Sequence, residues 1–444
     1  MTRKICGLFF ICLLLASATL SAQNLCRHKA DVPMTEKYSI TVFTETPDGE
    51  MLYLRGFCGH ESRLMDSAIV KHGKAVFKSK KQKLPCGDYL LELHDTLHPY
   101  PDVIAEVILN KDAKITLNHT HHVDSATGFL VNDIDIQDSE ENKLLYSFRN
   151  FLMKVYTPDI RTVCREYCDI APNSFVVKYI TAAYATLQTK GDAMLRQAIE
   201  DMDFSEPRLL HSPLPVYSLI RSRIASMYEA EQIAAFMDSI LALCSNEAMK
   251  EYFLQDFYRM MDVHIPIYDP VLVHLYDRYG DGWMDEDRQR INRRKIAQLR
   301  KINPGAKIPE ITAFDTLGNV YSTNDIRTKY TVLWFWDPDC DHCKAITPQL
   351  HDFYRERAGD LDFEVFAVEI NDDYDRWKKF SDEHELWDWL NLTTAKGDPA
   401  VDVIEYFDIM VTPALVLVDN STGHTIIARQ VTLDVLKFLL EKNR

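Results

Sequence analysis

Three changes of hydrophobic rhythm predict a multidomain chain: an N-terminal β-sandwich, an all-α middle domain and a C-terminal α/β fold. Apolar residues alternate with polar ones from about 37 to 118. They recur at helical spacing from about 139 to 301, and from Ile308 onward short apolar runs alternate with helical stretches. At 444 residues the chain has room for about three domains of ~150 residues each. A composition of 46% hydrophobic and 11% aromatic residues, low in Gly and Pro, suits packed cores and argues against disorder.

The first 22 residues read as a secretory leader. Arg3 and Lys4 are its basic flank, 5–15 its apolar stretch, and Ala16, Ser17, Ala18, Ser21 and Ala22 its small residues. Cys26 follows Gln23-Asn24-Leu25 rather than a lipoprotein-type sequence, so no lipid anchor is expected. No other stretch reaches the ~18 apolar residues of a membrane span, and the mature chain is expected to be exported without one. The C-terminal Glu441-Lys442-Asn443-Arg444 carries no endoplasmic-reticulum retention signal. A bacterial periplasm is therefore the expected location, with cell-envelope association left open. Losing Arg3 and Lys4 makes the net charge two units more negative than the −16 of the whole chain. Such a balance disfavours nucleic acid and anionic membranes as partners. Cys6 and Cys12 leave with the leader. Cysteines 26, 58, 86, 164, 168, 244, 340 and 343 remain, in a compartment where spare thiols tend to pair.

A β-sandwich-like domain is expected over 37–120. Tyr38-Ser39-Ile40-Thr41-Val42-Phe43 alternates with period two, as do 103–109 and 114–117. Turn signals fall at Pro47-Asp48-Gly49, His72-Gly73 and Pro85-Cys86-Gly87. Cys58 and Cys86 share this domain and are candidates for a structural bridge, although connectivity cannot be read from spacing. His119, His121 and His122 form a short cluster that reads as a solvated strand end in preference to a metal site.

An all-helical domain is expected over 138–301. Ser139-Glu140-Glu141-Asn142 is a helix start, with Leu144, Leu145, Phe148 and Leu152 at helical spacing behind it. Helical runs continue at 176–187, 192–202, 214–227, 229–243, 248–261 and 285–301, broken at Pro207, Pro213 and Pro215. Cys164 and Cys168, four apart, share a helix face and read as buried small side chains rather than a strained disulfide. Asn303-Pro304-Gly305 reads as a linker.

The third domain, 305–444, has strand-like runs at 331–336, 363–370, 414–419 and 424–429, and helix-like runs at 341–357, 373–384, 399–406 and 432–442. The apolar Thr331-Val332-Leu333-Trp334-Phe335-Trp336 breaks into a loop that delivers Cys340-Asp341-His342-Cys343 to a helix start. Two cysteines two residues apart can close a small disulfide ring, and a helix N-terminus stabilises the first sulfur as the nucleophilic thiolate. A lone Cys-X-X-Cys also suits half a zinc site or a structural disulfide. Zinc needs a second pair, and Cys164/Cys168 lies in another domain, so redox chemistry is the preferred reading. Trp377, Phe380, Trp387 and Trp389 read as core or rim aromatics, with an apolar wall near the substrate face as the alternative.

These residues resemble the thioredoxin superfamily, in particular its TlpA/ResA-like periplasmic branch. Ile308 to Asn319 is similar to that branch's opening hairpin, Trp336 to Lys344 to its active-site segment, Pro348 to the proline that kinks its first helix, and Thr412-Pro413 to its cis-proline loop. The whole chain also resembles bacterial exported proteins with a β-domain and a helical domain before such a module. Asp66-Ser67, Gly73, Phe77 and Pro85 carry that likeness in the first, and Pro207 to Leu210 with Pro213 in the second.

The resemblance implies a thiol–disulfide oxidoreductase acting on exported protein thiols and disulfides, with a second redox protein as partner and no metal or organic cofactor. It implies that Cys340 attacks, Cys343 resolves, Pro413 is cis and the Thr412 backbone pairs with substrate. His342 would favour the Cys340 thiolate. Asp337, Asp339 and Asp341 would oppose it, leaving reductant and oxidant both open. Two positions depart from the family: Trp334 stands where thioredoxin carries a buried acid, and Ile346 where the branch often has Glu. Glu369, between Val368 and Ile370, is the candidate proton acceptor in their place. A partner-binding adaptor that uses the module as a scaffold is the alternative reading.

Overall fold

The computed structural model describes residues 32–78, 83–94, 101–123, 128, 130–154, 159–263, 265–397 and 399–442. The expected leader, with Cys6 and Cys12, and Cys26 lie outside them. Eight strands come first: β1 (Lys37–Thr44), β2 (Met51–Cys58), β3 (Glu61–Ile69), β4 (Lys74–Lys78), β5 (Gly87–Leu93), β6 (Asp102–Leu109), β7 (Asp112–Val123) and β8 (Leu130–Asp138). They form two four-stranded sheets, β4-β1-β7-β8 and β3-β2-β5-β6.

Along β1 and β2 buried residues alternate with more exposed ones, as strands with one buried face require. Ile40, Val42, Leu52, Leu54, Phe77, Leu91, Val107, Ile115 and Leu117 belong to the core they share. The expected β-domain ends at 120, whereas β7 and β8 carry the sheet on to Asp138. Asn132, Asp133, Asp135 and Asp138 give β8 a polar composition that hides its strand character.

Helices follow: α1 (Glu140–Lys154), α2 (Ile160–Ile170), α3 (Phe175–Tyr184), α4 (Asp192–Asp201), α5 (Pro215–Ala225), α6 (Ala230–Leu243) and α7 (Glu247–Met261). The α1 helix closes the free edge of β6. Asn142 accepts from Ile108 N at 2.8 Å and donates to Ile108 O at 3.0 Å. The Tyr146 hydroxyl does the same for Glu106 N and O, at 3.0 and 3.1 Å. Edge groups that would otherwise be exposed to further strand pairing are thereby satisfied. Gly87 is required where β5 passes the helical segment, because a Cβ there would lie 2.4 Å from His211 O.

The chain packs as two compact units, one up to Phe257 and one from Tyr258, a division inside α7 and well upstream of Asn303-Pro304-Gly305. The second unit opens with α8 (Asp269–Tyr279) and α9 (Glu286–Ile302). Then come β9 (Thr312–Phe314), β10 (Val320–Ser322), β11 (Tyr330–Trp336), α10 (Asp341–Leu361), β12 (Phe363–Glu369), α11 (Tyr374–Glu383), β13 (Leu390–Thr393), α12 (Val403–Phe407), β14 (Ala414–Asp419), β15 (Thr425–Arg429) and α13 (Leu433–Lys442). Its seven-stranded sheet has the order β10-β9-β13-β12-β11-β14-β15. The central β11 is parallel to β12 and antiparallel to β14, and all seven of its residues are buried, which explains the unbroken apolar run. Among the described residues no helix is long and apolar enough to cross a membrane.

Candidate redox site

The loop after β11 ends at Cys340, whose extended backbone (φ −73°, ψ 121°) caps α10. Cys340 O accepts the first-turn amide of Lys344 at 3.0 Å, and Cys340 N donates to Asp337 O at 3.2 Å. One turn further, Cys343 faces the core and is fully buried, while Cys340 is half-buried. Across from them the Thr412–Pro413 bond is cis. The Cys340 thiol donates to Thr412 O at 3.3 Å, and Asp337 N donates to Cys343 Sγ at 3.5 Å. The two cysteines and the distant Thr-Pro are thus neighbours, and both sulfurs are thiols.

The two protons are held differently. Partial burial pushes the Cys340 thiol up, but hydrogen bonds from the Thr412 side chain, the Cys343 amide and thiol and the His342 amide outweigh it and hold Cys340 below the ordinary thiol value. Burial pushes Cys343 up to about 12. One sulfur is poised as a nucleophile and the other as a retained thiol. The His342 side chain is exposed, so its part at Cys340 is played by its backbone amide.

Each of the three carboxylates flanking the pair has a partner. Asp337 accepts from Asp339 N at 2.7 Å and from Asn371 Nδ2 at 3.2 Å. Asp339 pairs with Arg376, and Asp341 with Lys344 at 3.7 Å. Arg376 carried no signal in the sequence, since it sits one element away from the motif.

Glu369 lies opposite Trp336 in the β11–β12 register, on the sheet face whose packed cluster includes Trp334, Trp336, Ala367 and Cys343. It is fully buried. Its Oε1 accepts from Asn371 N at 2.7 Å and Asp373 N at 3.3 Å, and its Oε2 from Thr393 Oγ1 at 2.7 Å. Burial nonetheless holds its carboxyl above the usual range. Trp334, in the family's acid position, donates to Thr347 Oγ1 at 3.1 Å inside the core.

Trp377 and Trp389 are buried in the cluster that includes Cys343, and Phe380 packs on Trp336 with ring centroids 5.5 Å apart. Trp387 is exposed and meets Trp377 edge-on at 5.6 Å, while Trp377 Nε1 donates to Asn391 Oδ1 at 3.0 Å. The other candidates lie apart from the cysteine pair. Cys86 is a free thiol, and the bridge to Cys58 is not made. Cys164 is buried and pushed up to about 12, while Cys168 is half-buried; the two are not bonded. His119 is buried and bonded to Thr44 Oγ1 at 2.8 Å. His121 and His122 are exposed. No group of three or more metal-ligating side chains occurs among the described residues.

Residues 328–425 match a family model described as thioredoxin-like. The thioredoxin domain of a thiol-disulfide oxidoreductase from Bacteroides vulgatus is 31% identical, the match covering 32% of this chain and 98% of that one, with a TM-score of 0.29. A thiol:disulfide interchange protein from a Bacteroides species is also 31% identical, covering 32% of this chain and 90% of that one, with a TM-score of 0.29. A thioredoxin-like protein of Haemophilus influenzae is 26% identical over 119 residues, which is 26% of this chain. The chain spans 64% of that curated relative's length.

Proposed function

Because the chain belongs, through its C-terminal domain, to the thioredoxin-like family, we propose that it is an exported thiol–disulfide oxidoreductase that exchanges disulfides with other exported proteins through Cys340 and Cys343. The observation that carries the reading is the contrast between the two sulfurs. Cys340 is accessible, lies against Thr412 and has a lowered pKa, and Cys343 is buried beneath it with a raised one.

In the reducing direction the Cys340 thiolate attacks a substrate S–S bond. A Cys340–substrate mixed disulfide forms and one substrate sulfur leaves as a thiolate. Cys343 then loses its proton and attacks Cys340 Sγ. The second substrate sulfur leaves, the Cys340–Cys343 disulfide closes, and two electrons have passed to the substrate. A second redox protein restores the dithiol; the same steps run backwards oxidise a substrate. Thr412, beside cis-Pro413, is the backbone against which an extended substrate segment pairs, and Glu369 is the acceptor for the Cys343 proton. The leader expected over residues 1–22 supports an exported, periplasmic location.

The reading is tested on purified full-length protein. A two-electron midpoint potential is expected in the parent and is lost in Cys340→Ser. Cys343→Ser is expected to trap mixed disulfides with periplasmic proteins. A parent with no such midpoint, or a Cys343→Ser variant that traps nothing, overturns it.

A further inference from the structure

Helix α11 reaches back to the active-site loop through one side chain. Arg376, in the first turn of α11, pairs with Asp339, the residue immediately before Cys340. Its Nε also lies 3.3 Å from Asp373 Oδ2, and Asp373 is the N-cap of the same helix, its side chain accepting from Arg376 N at 3.2 Å. A single guanidinium therefore forks between the helix start and the loop that presents the nucleophile.

This fork closes a ring of contacts. Glu369, buried at the end of β12, holds the β12–α11 connection by accepting from Asn371 N and Asp373 N. Asn371 passes that hold to Asp337 through its side-chain amide. Asp337 passes it to Asp339 N, and its own amide reaches Cys343 Sγ. Arg376 completes the circuit from Asp373 back to Asp339. The charged and titratable groups on the loop and helix start that present Cys340 are Asp337, Asp339, Asp341, His342 and Lys344, the last pairing Asp341, and Arg376 and Asp373 of α11 join them through Asp339. Of these cations, only Arg376 arrives from another element.

We propose that Arg376 is a positioning residue for the redox pair: by neutralising Asp339 and pinning the loop to α11, it keeps a carboxylate from opposing the Cys340 thiolate and so sets the poise of the disulfide. The inference rests on the thiol–disulfide reading of Cys340 and Cys343 and assigns that site its electrostatic control. Without Arg376 the Asp339 charge stands uncompensated beside the nucleophile, and a nearby like charge disfavours ionisation. The thiolate becomes less stable, and the disulfide correspondingly less oxidising. Both partners are well exposed, so screening keeps the effect small and salt-sensitive.

The test uses the reduced full-length protein. Cys340 ionisation is read from the pH dependence of its alkylation, and the reduction potential from equilibration with glutathione. Arg376→Gln is expected to lower the thiolate fraction at pH 7 about threefold, to move the potential in the reducing direction, and to lose most of this shift in concentrated salt. Arg376→Lys, which keeps the charge and loses the fork, is expected to recover part of it. In an Asp339→Asn background the Arg376→Gln shift is expected to fall to less than half, because the two residues act as a coupled pair. A shift equal in both backgrounds overturns the proposal, since Arg376 would then act as a free charge. An Arg376→Gln protein with the parent's pH profile and potential overturns it as well. Those outcomes differ from failure of the underlying reading, in which the parent itself shows no midpoint that Cys340→Ser removes. Arg376 is exposed, so an unchanged melting curve is expected for the variants and keeps the comparison interpretable.

Discussion

Cys340 and Cys343 are one helical turn apart, yet burial separates their protons: one thiol is lowered and the other pushed up to about 12. The motif placed the first cysteine at a helix start, and Cys340 is the N-cap of α10; that it is the more exposed sulfur was implied by the family resemblance. The motif did not foretell the charge around it. Three aspartates in five residues read as opposition to a thiolate, whereas Arg376, Lys344 and Asn371 compensate them from outside the motif or one turn into the helix. Glu369 offers a sharper check on burial. Its native pKa lies above the ordinary carboxyl value, so the folded state binds this proton more tightly than the unfolded chain does. That contribution to stability is complete below about pH 4 and is lost as pH rises through the native pKa. Glu369→Gln keeps a neutral group throughout but must place an amide among donors that now face carboxylate oxygens. Its stability deficit against the parent, measured by denaturant unfolding across pH 4 to 8, is therefore expected to shrink with rising pH. A deficit that stays constant would show that Glu369 ionises as an ordinary surface acid does.

At the level of elements, the long and strongly patterned segments were legible and the short or polar ones were not. β11 declared itself by the largely apolar run 331–336, and α10 by its position at the cysteines. β13 is only four residues, Leu390–Thr393, too short to establish a period. The polar alternation of β8 resembles a loop until β7 is seen beside it, with Thr116 to Val123 paired to its residues. The closure of β6 was equally hidden, because Asn142 and Tyr146 read as ordinary helix residues although they finish a sheet edge. Asn142 is fully buried, and its removal leaves both Ile108 N and Ile108 O without these bonds in a dry interface. Asn142→Ala should therefore cost about 2–6 kcal/mol, at about 1–3 for each of the two buried groups left unsatisfied. Asn142→Asp, which can still accept from Ile108 N but cannot donate to Ile108 O, should recover part of that loss. Chemical denaturation of the unit up to Phe257, followed in the full chain, checks the order. An Asn142→Ala protein within 0.5 kcal/mol of the parent, the usual range of a surface change, would mean that water replaces the amide at this edge.

At the scale of the whole molecule, the multidomain order was legible from composition and period, but the grouping of helices was not. Asn303-Pro304-Gly305 has the composition of a linker, yet Gly305 N donates to Ile426 O at 2.8 Å and Ile308 N to His424 O at 2.9 Å, tying this segment alongside β15. Upstream of it, Gln298 on α9 donates to Tyr406 O at 2.6 Å. Asp269 on α8 pairs with Arg429 on β15, and the two are only 7% and 6% exposed. Tertiary partners of this kind override local composition, and they make α8 and α9 part of the unit that carries the redox site. The buried pair gives this grouping a measurable consequence. Two charges withdrawn from water depend on each other, so removing one strands the other. Asp269→Ala or Arg429→Ala should each destabilise the second unit by about 3–5 kcal/mol. Asp269→Leu with Arg429→Met replaces both charges by apolar bulk and should cost less than either single change, since the desolvation of the pair roughly offsets its attraction. Thermal and denaturant unfolding of the four full-length proteins, parent included, distinguishes the outcomes. If the double variant is as unstable as the sum of the singles, the pair contributes geometry that apolar side chains cannot supply. If neither single variant moves the transition, α8 is not held to β15 by this contact.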